Sequence, residues 1–300
     1  MSKTSAWFSS LRLRTLPLAL SSITMGSFLA LEYRLFDWKI FLLTALTAIF
    51  LQILSNLAND YGDAIHGADS ADRVGPKRGL QNGEITLPQM RNAIILCAVL
   101  AFGAGITLLY NAVSGSGFII FLVLGLLCIA GAIMYTMGKK PYGYSGFGDV
   151  SVFLFFGIVG VAGTFYLHTH GFKAGILLPA SALGFLSAGV LNINNMRDIS
   201  TDAATGKKTI VVRIGLAQAK KYHLALIVMA FLFISIYTDA HYTCVYQLLY
   251  LITAPVFFMH LKGIMKEESS GMDKYLKQLS LTTLLLVITF GLGIILQNNV

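Results

Sequence analysis

Apolar residues in this chain come in long unbroken runs, separated by short polar segments. Nine runs of 18–21 residues stand at about 16–34, 38–58, 91–110, 117–137, 150–168, 174–194, 221–238, 243–261 and 278–297. Each matches the roughly 20 residues that a helix needs to cross about 30 Å of hydrocarbon. None shows the strict period of two that a membrane barrel strand requires. Only helices and closed barrels satisfy their backbone groups in lipid. The pattern therefore predicts an all-α membrane protein, with nine transmembrane helices in one bundle. Several runs end in Tyr or Trp (Trp38, Tyr110, Tyr166, Tyr222), where amphipathic rings favour the membrane interface. Glycine groups inside the runs, such as Gly157/Gly160/Gly163 and Gly291/Gly293, predict close approach between helices.

Composition supports that reading. Hydrophobic residues make up 56% of the 300-residue chain and charged residues 12%, half of the roughly 25% usual in a soluble domain. No soluble domain is expected: residues 1–300 read as a single integral-membrane domain, with about 15 N-terminal residues in the cytoplasm. The net charge of +8 would suit nucleic acid if it were clustered on a soluble face. Instead, nine spans place 19 of the 22 lysines and arginines on the side of the N-terminus and the even-numbered loops, leaving Arg34, Lys39 and Lys173 opposite. Basic residues are retained on the cytoplasmic side, so the charge predicts an N-terminus inside a bacterial-type inner membrane and no nucleic-acid partner. Lys3, Arg12 and Arg14 ahead of the first run mimic a signal peptide. The run is long, lacks a small-x-small cleavage site and leads into further spans, so it reads as a retained helix. Cys97, Cys128 and Cys244 lie in separate runs without metal-ligand spacing and read as core residues.

Two runs dissolve into asparagine and aspartate. The second ends in Asn56-Leu-Ala-Asn59-Asp60-Tyr-Gly-Asp63 and continues to Asp69; the sixth ends in Asn194-Asn195-Met-Arg197-Asp198 and continues to Asp202. On a helix Asn56, Asn59, Asp60 and Asp63 form one stripe, and Asn194, Asp198 and Asp202 another. Carboxylates cost roughly 2.5–3.5 kcal/mol each at mid-bilayer, and clustering adds mutual repulsion. Two matched stripes of oxygen ligands therefore point to Mg2+ rather than zinc or copper. Magnesium bridges carboxylates to phosphates, so facing stripes, arising from an ancient duplication, describe a site for a diphosphate. The bland alternative is a pair of solvated, asparagine-capped helix ends. Arg73, Lys77 and Arg78 follow the first cluster; Arg197, Lys207, Lys208 and Arg213 accompany the second; Tyr135 and Lys139-Lys140 follow the fourth run. Such cations suit phosphate oxygens, and Arg197, Tyr135 and Lys139 are the expected contacts. His66 lies in the first cluster and could bind metal, but reads equally as a spectator, and His168 and His170 lie on the opposite side.

The segments "NLANDYGD", "NNMRDISTD" and "YTMGKKPYGYSGFGDVSVFLFFG" resemble the UbiA superfamily of intramembrane prenyltransferases. The likeness runs from "RLRTLPLAL" to "KKTIVVRIG", and "PYGYSGFGD" and "GPKRGLQNGEIT" favour its naphthoate branch. The resemblance implies a polyprenyl diphosphate donor, 1,4-dihydroxy-2-naphthoate as acceptor and Mg2+ as cofactor. It implies metal ligation by Asn59, Asp63, Asp69, Asn194, Asp198 and Asp202, with Asp63, Asp198 and Asp202 catalytic. It implies diphosphate contacts from Tyr135, Lys139, Lys140 and Arg197. One departure stands out: many relatives carry an acid four residues after the equivalent of Asp63, where this chain has Gly67, and Asp69 is expected to substitute. The acceptor's acid would favour a basic partner, with Arg14 a candidate. Other members of the superfamily prenylate 4-hydroxybenzoate or homogentisate. A secondary transporter also carries intramembrane acids and repeats, although its acids would lie near mid-span.

Overall fold

A computed structural model of the chain describes residues 2–67 and 79–298. Among these, nine helices are long and apolar enough to cross a membrane, and no strand occurs. A short helix, α1 (Lys3–Leu11), precedes the first spanning helix α2 (Leu16–Glu32). Then follow α3 (Trp38–Ile65), α4 (Leu87–Ala112), α5 (Ser116–Met134), α6 (Gly148–Thr169) and α7 (Ala174–Arg197). A short helix α8 (Ile199–Ala204) leads to α9 (Ile210–Ala240), α10 (Val245–Lys266) and α11 (Asp273–Gln297).

Three of these differ from the apolar pattern for identifiable reasons. Helix α3 runs seven residues past the apolar run, because its polar end is sheltered by other chain segments rather than by lipid. Helix α9 starts eleven residues before its run, broken at Gly215 (φ 77°, ψ 163°), a left-handed conformation that glycine adopts without Cβ strain. Within α6, residues Phe153–Gly163 wind as a π-helix, and hydropathy carries no signal for that wider turn.

The main core joins α2, α6, α7, α9, α10 and α11 through Met25, Phe165, Leu186, Ile234, Phe257 and Phe290. A second cluster seats α1 on α3 and α4 through Ala6, Leu54, Leu57, Met90 and Ile94. Helix α2 packs against α3, α6, α7 and α11, and so stands between the two acid-bearing helices. Helix α5 has no buried residue. Ile119, Ile120, Val123 and Leu127 face outwards, while Phe121, Leu122, Gly125 and Ile129 line an internal cavity. Such exposure costs nothing in lipid, and α5 serves as a wall between the two.

Candidate active site

A cavity of about 400 Å3 runs through the bundle, lined by α2 to α7. On α3 it extends from Thr44 to Asp63, roughly 28 Å at 1.5 Å per residue. Most of its wall is apolar: Leu18, Ile23, Leu51, Phe102, Leu109 and Phe156 among others. Its polar end gathers Asn56, Asn59 and Asp63 of α3, Asn194, Asn195 and Asp198 of α7, and Asp202 of α8, with Tyr135, Tyr144 and Lys207. The two predicted stripes thus open onto one cavity.

The stripes meet through a cation from the chain itself. Lys207 Nζ lies 2.9 Å from Asp63 Oδ1 and 3.3 Å from Asp202 Oδ1. Gly206, at φ 75°, turns the chain after α8, and the Lys207 amide donates back to the Asp202 carbonyl at 2.9 Å. That turn returns the lysine over the acids. The Tyr144 hydroxyl donates to Asp63 Oδ1 at 2.6 Å, and its ring lies 4.5 Å from the Lys207 ammonium. Burial pushes the Asp202 carboxyl up to about 6; Lys207 pulls it down, while Asp198 and Asp63 raise it further. Burial, helped by Asp149, Tyr142, Asp202 and Asp63, likewise raises the Tyr135 hydroxyl, which stays protonated.

Two turns cover this end. The Lys208 amide donates to the Tyr144 carbonyl at 2.8 Å, and Arg213 donates to the Ser145 carbonyl at 2.7 Å. The segments around 141–147 and 205–213 are therefore docked on each other above the acids. Thr136 anchors the first to α3: its hydroxyl donates to the Ala58 carbonyl at 3.0 Å, with Asn59 Oδ1 3.1 Å away.

Several predicted contacts lie elsewhere. Asp60, expected in the first stripe, is absent from the cavity wall and pairs with Arg12; it lies at the edge of the stripe, turned to the segment before α2, while Asn56, Asn59 and Asp63 face the cavity. Arg197 is 1% exposed and absent from the lining. It donates from Nε and an amino group to the two oxygens of Asp198 at 2.8 and 2.7 Å, and to Asn194 Oδ1 at 2.8 Å. It holds the Asp198 carboxylate instead of facing the cavity. Lys139 and Lys140 are exposed and off the cavity, because Gly138 (φ 98°) swings them outwards. His66 is within hydrogen-bond reach of the Gly62 and Gly138 carbonyls, at 2.8 and 3.1 Å, as suits a spectator. Arg14 pairs with Asp273 at 2.8 Å; Arg12, not Arg14, lines the cavity. Asp69, Arg73, Lys77 and Arg78 lie outside the described residues. Tyr144 was not expected at the site, although a glycine-rich polar turn on the acid side of the membrane was its signal.

The donor set accords with magnesium. Among the described residues no three carboxylate, histidine or cysteine side chains converge tightly enough to enclose an ion. Magnesium does not need such a cage: it retains waters and uses one or two carboxylates plus phosphate oxygens. The Lys207 ammonium marks where positive charge is stabilised between α3 and α8.

An all-helical bundle with paired acids at the end of an apolar cavity defines an intramembrane protein whose interior suits a charged head and an apolar tail. Residues 19–282 match the model of the UbiA prenyltransferase family, and the chain belongs to that family. It is 43% identical over 300 residues to the 1,4-dihydroxy-2-naphthoate octaprenyltransferase of Escherichia coli (strain K12), covering 99% of this chain and 97% of that one. Its fold is similar to the apo structure of a UbiA homologue from Aeropyrum pernix K1, with TM-score 0.68, 20% identity and coverage of 96% and 99%. A UbiA homologue from Archaeoglobus fulgidus, bound to GPP and Mg2+, aligns with TM-score 0.61 and 15% identity, covering 94% and 98%. Family membership sets aside the transporter alternative.

Proposed function

We propose that the protein transfers a polyprenyl group from polyprenyl diphosphate to 1,4-dihydroxy-2-naphthoate, releasing diphosphate and CO2 and giving demethylmenaquinol. The observation that carries this reading is the junction of Asp63, Lys207 and Asp202 at the polar end of a long apolar cavity. Support for the acceptor comes from the 43% identity to a naphthoate octaprenyltransferase.

In this reading Asp63, Asp198 and Asp202, with Asn59 and Asn194, would hold magnesium; Asp69, expected to join them, lies outside the described residues. When bound, the ion supplies charge neutralisation to the departing diphosphate. Lys207 transfers its ammonium from the carboxylates to diphosphate oxygens, adding a charge-assisted contact. Tyr135 and Tyr144 offer hydroxyls at the same end. The prenyl chain lies along the apolar wall between α2, α3, α4 and α5. The C–O bond to diphosphate breaks, and the docked turns exclude water from the resulting allylic cation. Phe155 and Phe156 line the cavity, and their ring faces favour positive charge. The naphthoate attacks through the ring carbon that bears its carboxylate. The bond to that carboxylate then breaks, its electron pair returns to the ring, and CO2 leaves.

The distribution of basic residues supports a site on the cytoplasmic side of an inner membrane. The test is mass spectrometry of quinones formed by the purified protein in proteoliposomes, supplied with a polyprenyl diphosphate, Mg2+ and competing acceptors. Prenylated naphthoquinol is expected; prenylated 4-hydroxybenzoate in its place would overturn the assignment of the acceptor.

A further inference from the structure

The Asp198 carboxylate is oriented by a chain of charges that ends on another helix. Arg197 grips both of its oxygens, as described above, and its remaining amino group donates to Asp273 Oδ1. Asp273 is the first residue of α11, 76 positions further along. Its other oxygen accepts from Arg14 at 2.8 Å, in the turn that also brings Arg12 and Thr15 to the cavity wall. Asp273 therefore ties three separate elements together behind the acid cluster.

We propose that Asp273 is a positioning residue for the metal site, acting through Arg197 on Asp198. The proposal rests on Asp198 being a metal ligand. The Arg197 side chain is 1% exposed, so water has little access to a guanidinium N–H that loses its partner. With Asp273 in place the planar fork is fixed at both ends, and Asp198 presents a set direction to the cavity. Without it the guanidinium is held on one edge only, and the fork and its carboxylate rotate together. One negative charge beside the site disappears as well. Partners behind a ligating carboxylate commonly change metal affinity by about 10- to 100-fold when removed. The Asp273 side chain is itself 37% exposed and sits at a helix N-terminus, where a carboxylate is favoured. Changing it leaves the packed core alone.

The experiment titrates Mn2+ into the purified, chelator-treated protein, followed by electron paramagnetic resonance, alongside prenyl-transfer rates measured against Mg2+. Asp273→Ala should weaken Mn2+ binding about tenfold. It should raise the Mg2+ concentration for half-maximal rate by the same factor, while kcat at saturating Mg2+ changes little. Asp273→Glu, which keeps the charge and both acceptor oxygens, should restore affinity. Wild-type Mn2+ affinity in Asp273→Ala overturns the proposal while the metal-site reading stands. A wild-type protein that binds no Mn2+ overturns both. Should Asp273→Ala fail to fold, Arg197→Lys keeps the charge without the fork, and unchanged Mn2+ affinity in that variant is equally fatal to the relay.

Discussion

Lys207 neutralises two acids that the membrane environment would otherwise penalise. Its ammonium touches Asp63 and Asp202, and all three side chains are nearly buried. Removing one partner of a buried ion pair costs on the order of 3–5 kcal/mol, since the remaining charge is left uncompensated. Lys207→Met should therefore lower the melting temperature of the protein in chelator by several degrees. A divalent ion can take over the lost charge, so added Mg2+ should stabilise this variant more than the wild type. Thermal unfolding in nanodiscs, with and without Mg2+, measures both; equal Mg2+ stabilisation in the two proteins would contradict a shared cation position. At this scale the acids were legible, because aspartates at the end of an apolar run have few reasons to exist. Their partners were not. Lys207 and Arg197 lie near acids in the sequence while Arg12 stands 48 positions from Asp60, and spacing alone could not say which would face the cavity.

Among the elements, α3 shows how a helix end is held in register. Gly62 lies against the turn after α5, where an added Cβ would stand 2.5 Å from the Thr136 carbonyl oxygen and 2.7 Å from the Thr136 Cβ. That contact, with the Thr136 hydroxyl bonded to α3, fixes the depth of Asn59 and Asp63. Overpacking such a contact typically costs about 1–3 kcal/mol. Gly62→Ala should consequently insert normally yet lose most prenyl transfer, with reduced thermal stability. Wild-type kinetics in that variant would mean that the turn does not set the position of the acids. The spans themselves were readable because apolar length is a local property. The start of α9 at Ile210 and its break at Gly215 were not, since Arg213, Gln218 and Lys220 interrupt residues 210–220 and Arg213 donates to the carbonyls of Lys208 and Ser145 in the covering turns. Nor was the separation of α7 from α8, where Asp198 leaves helical geometry (φ −95°, ψ 11°) with its side chain bound by Arg197.

For the whole molecule, the uneven placement of lysine and arginine predicts an orientation that can be measured. In a background with Cys97, Cys128 and Cys244 replaced, Ser114→Cys in the loop after α4 should react with a membrane-impermeant maleimide in intact cells. Ser270→Cys, in the turn before α11, should react only after lysis. The reverse labelling would put the acid cluster on the outer face and remove the argument for a cytoplasmic site. The same global view explains the cavity. One of its walls is α5, whose Phe121, Leu122, Gly125 and Ile129 face inwards, and a bundle in lipid gains no hydrophobic energy by closing such a gap.

Sequence by itself determined the number of spans and the placing of asparagine and aspartate at the ends of two of them. Hydrocarbon admits only long apolar helices, and charges persist near it only for a use, so both constraints act on stretches of twenty residues or fewer. Tertiary structure alone decided that α3 and α7 end on one cavity, that Lys207 returns over the acids, and that Asp273 reaches Arg197 from the start of α11. Those pairings depend on how distant helices dock. A long-range charge pair forms wherever packing brings its members together, and no local period records that.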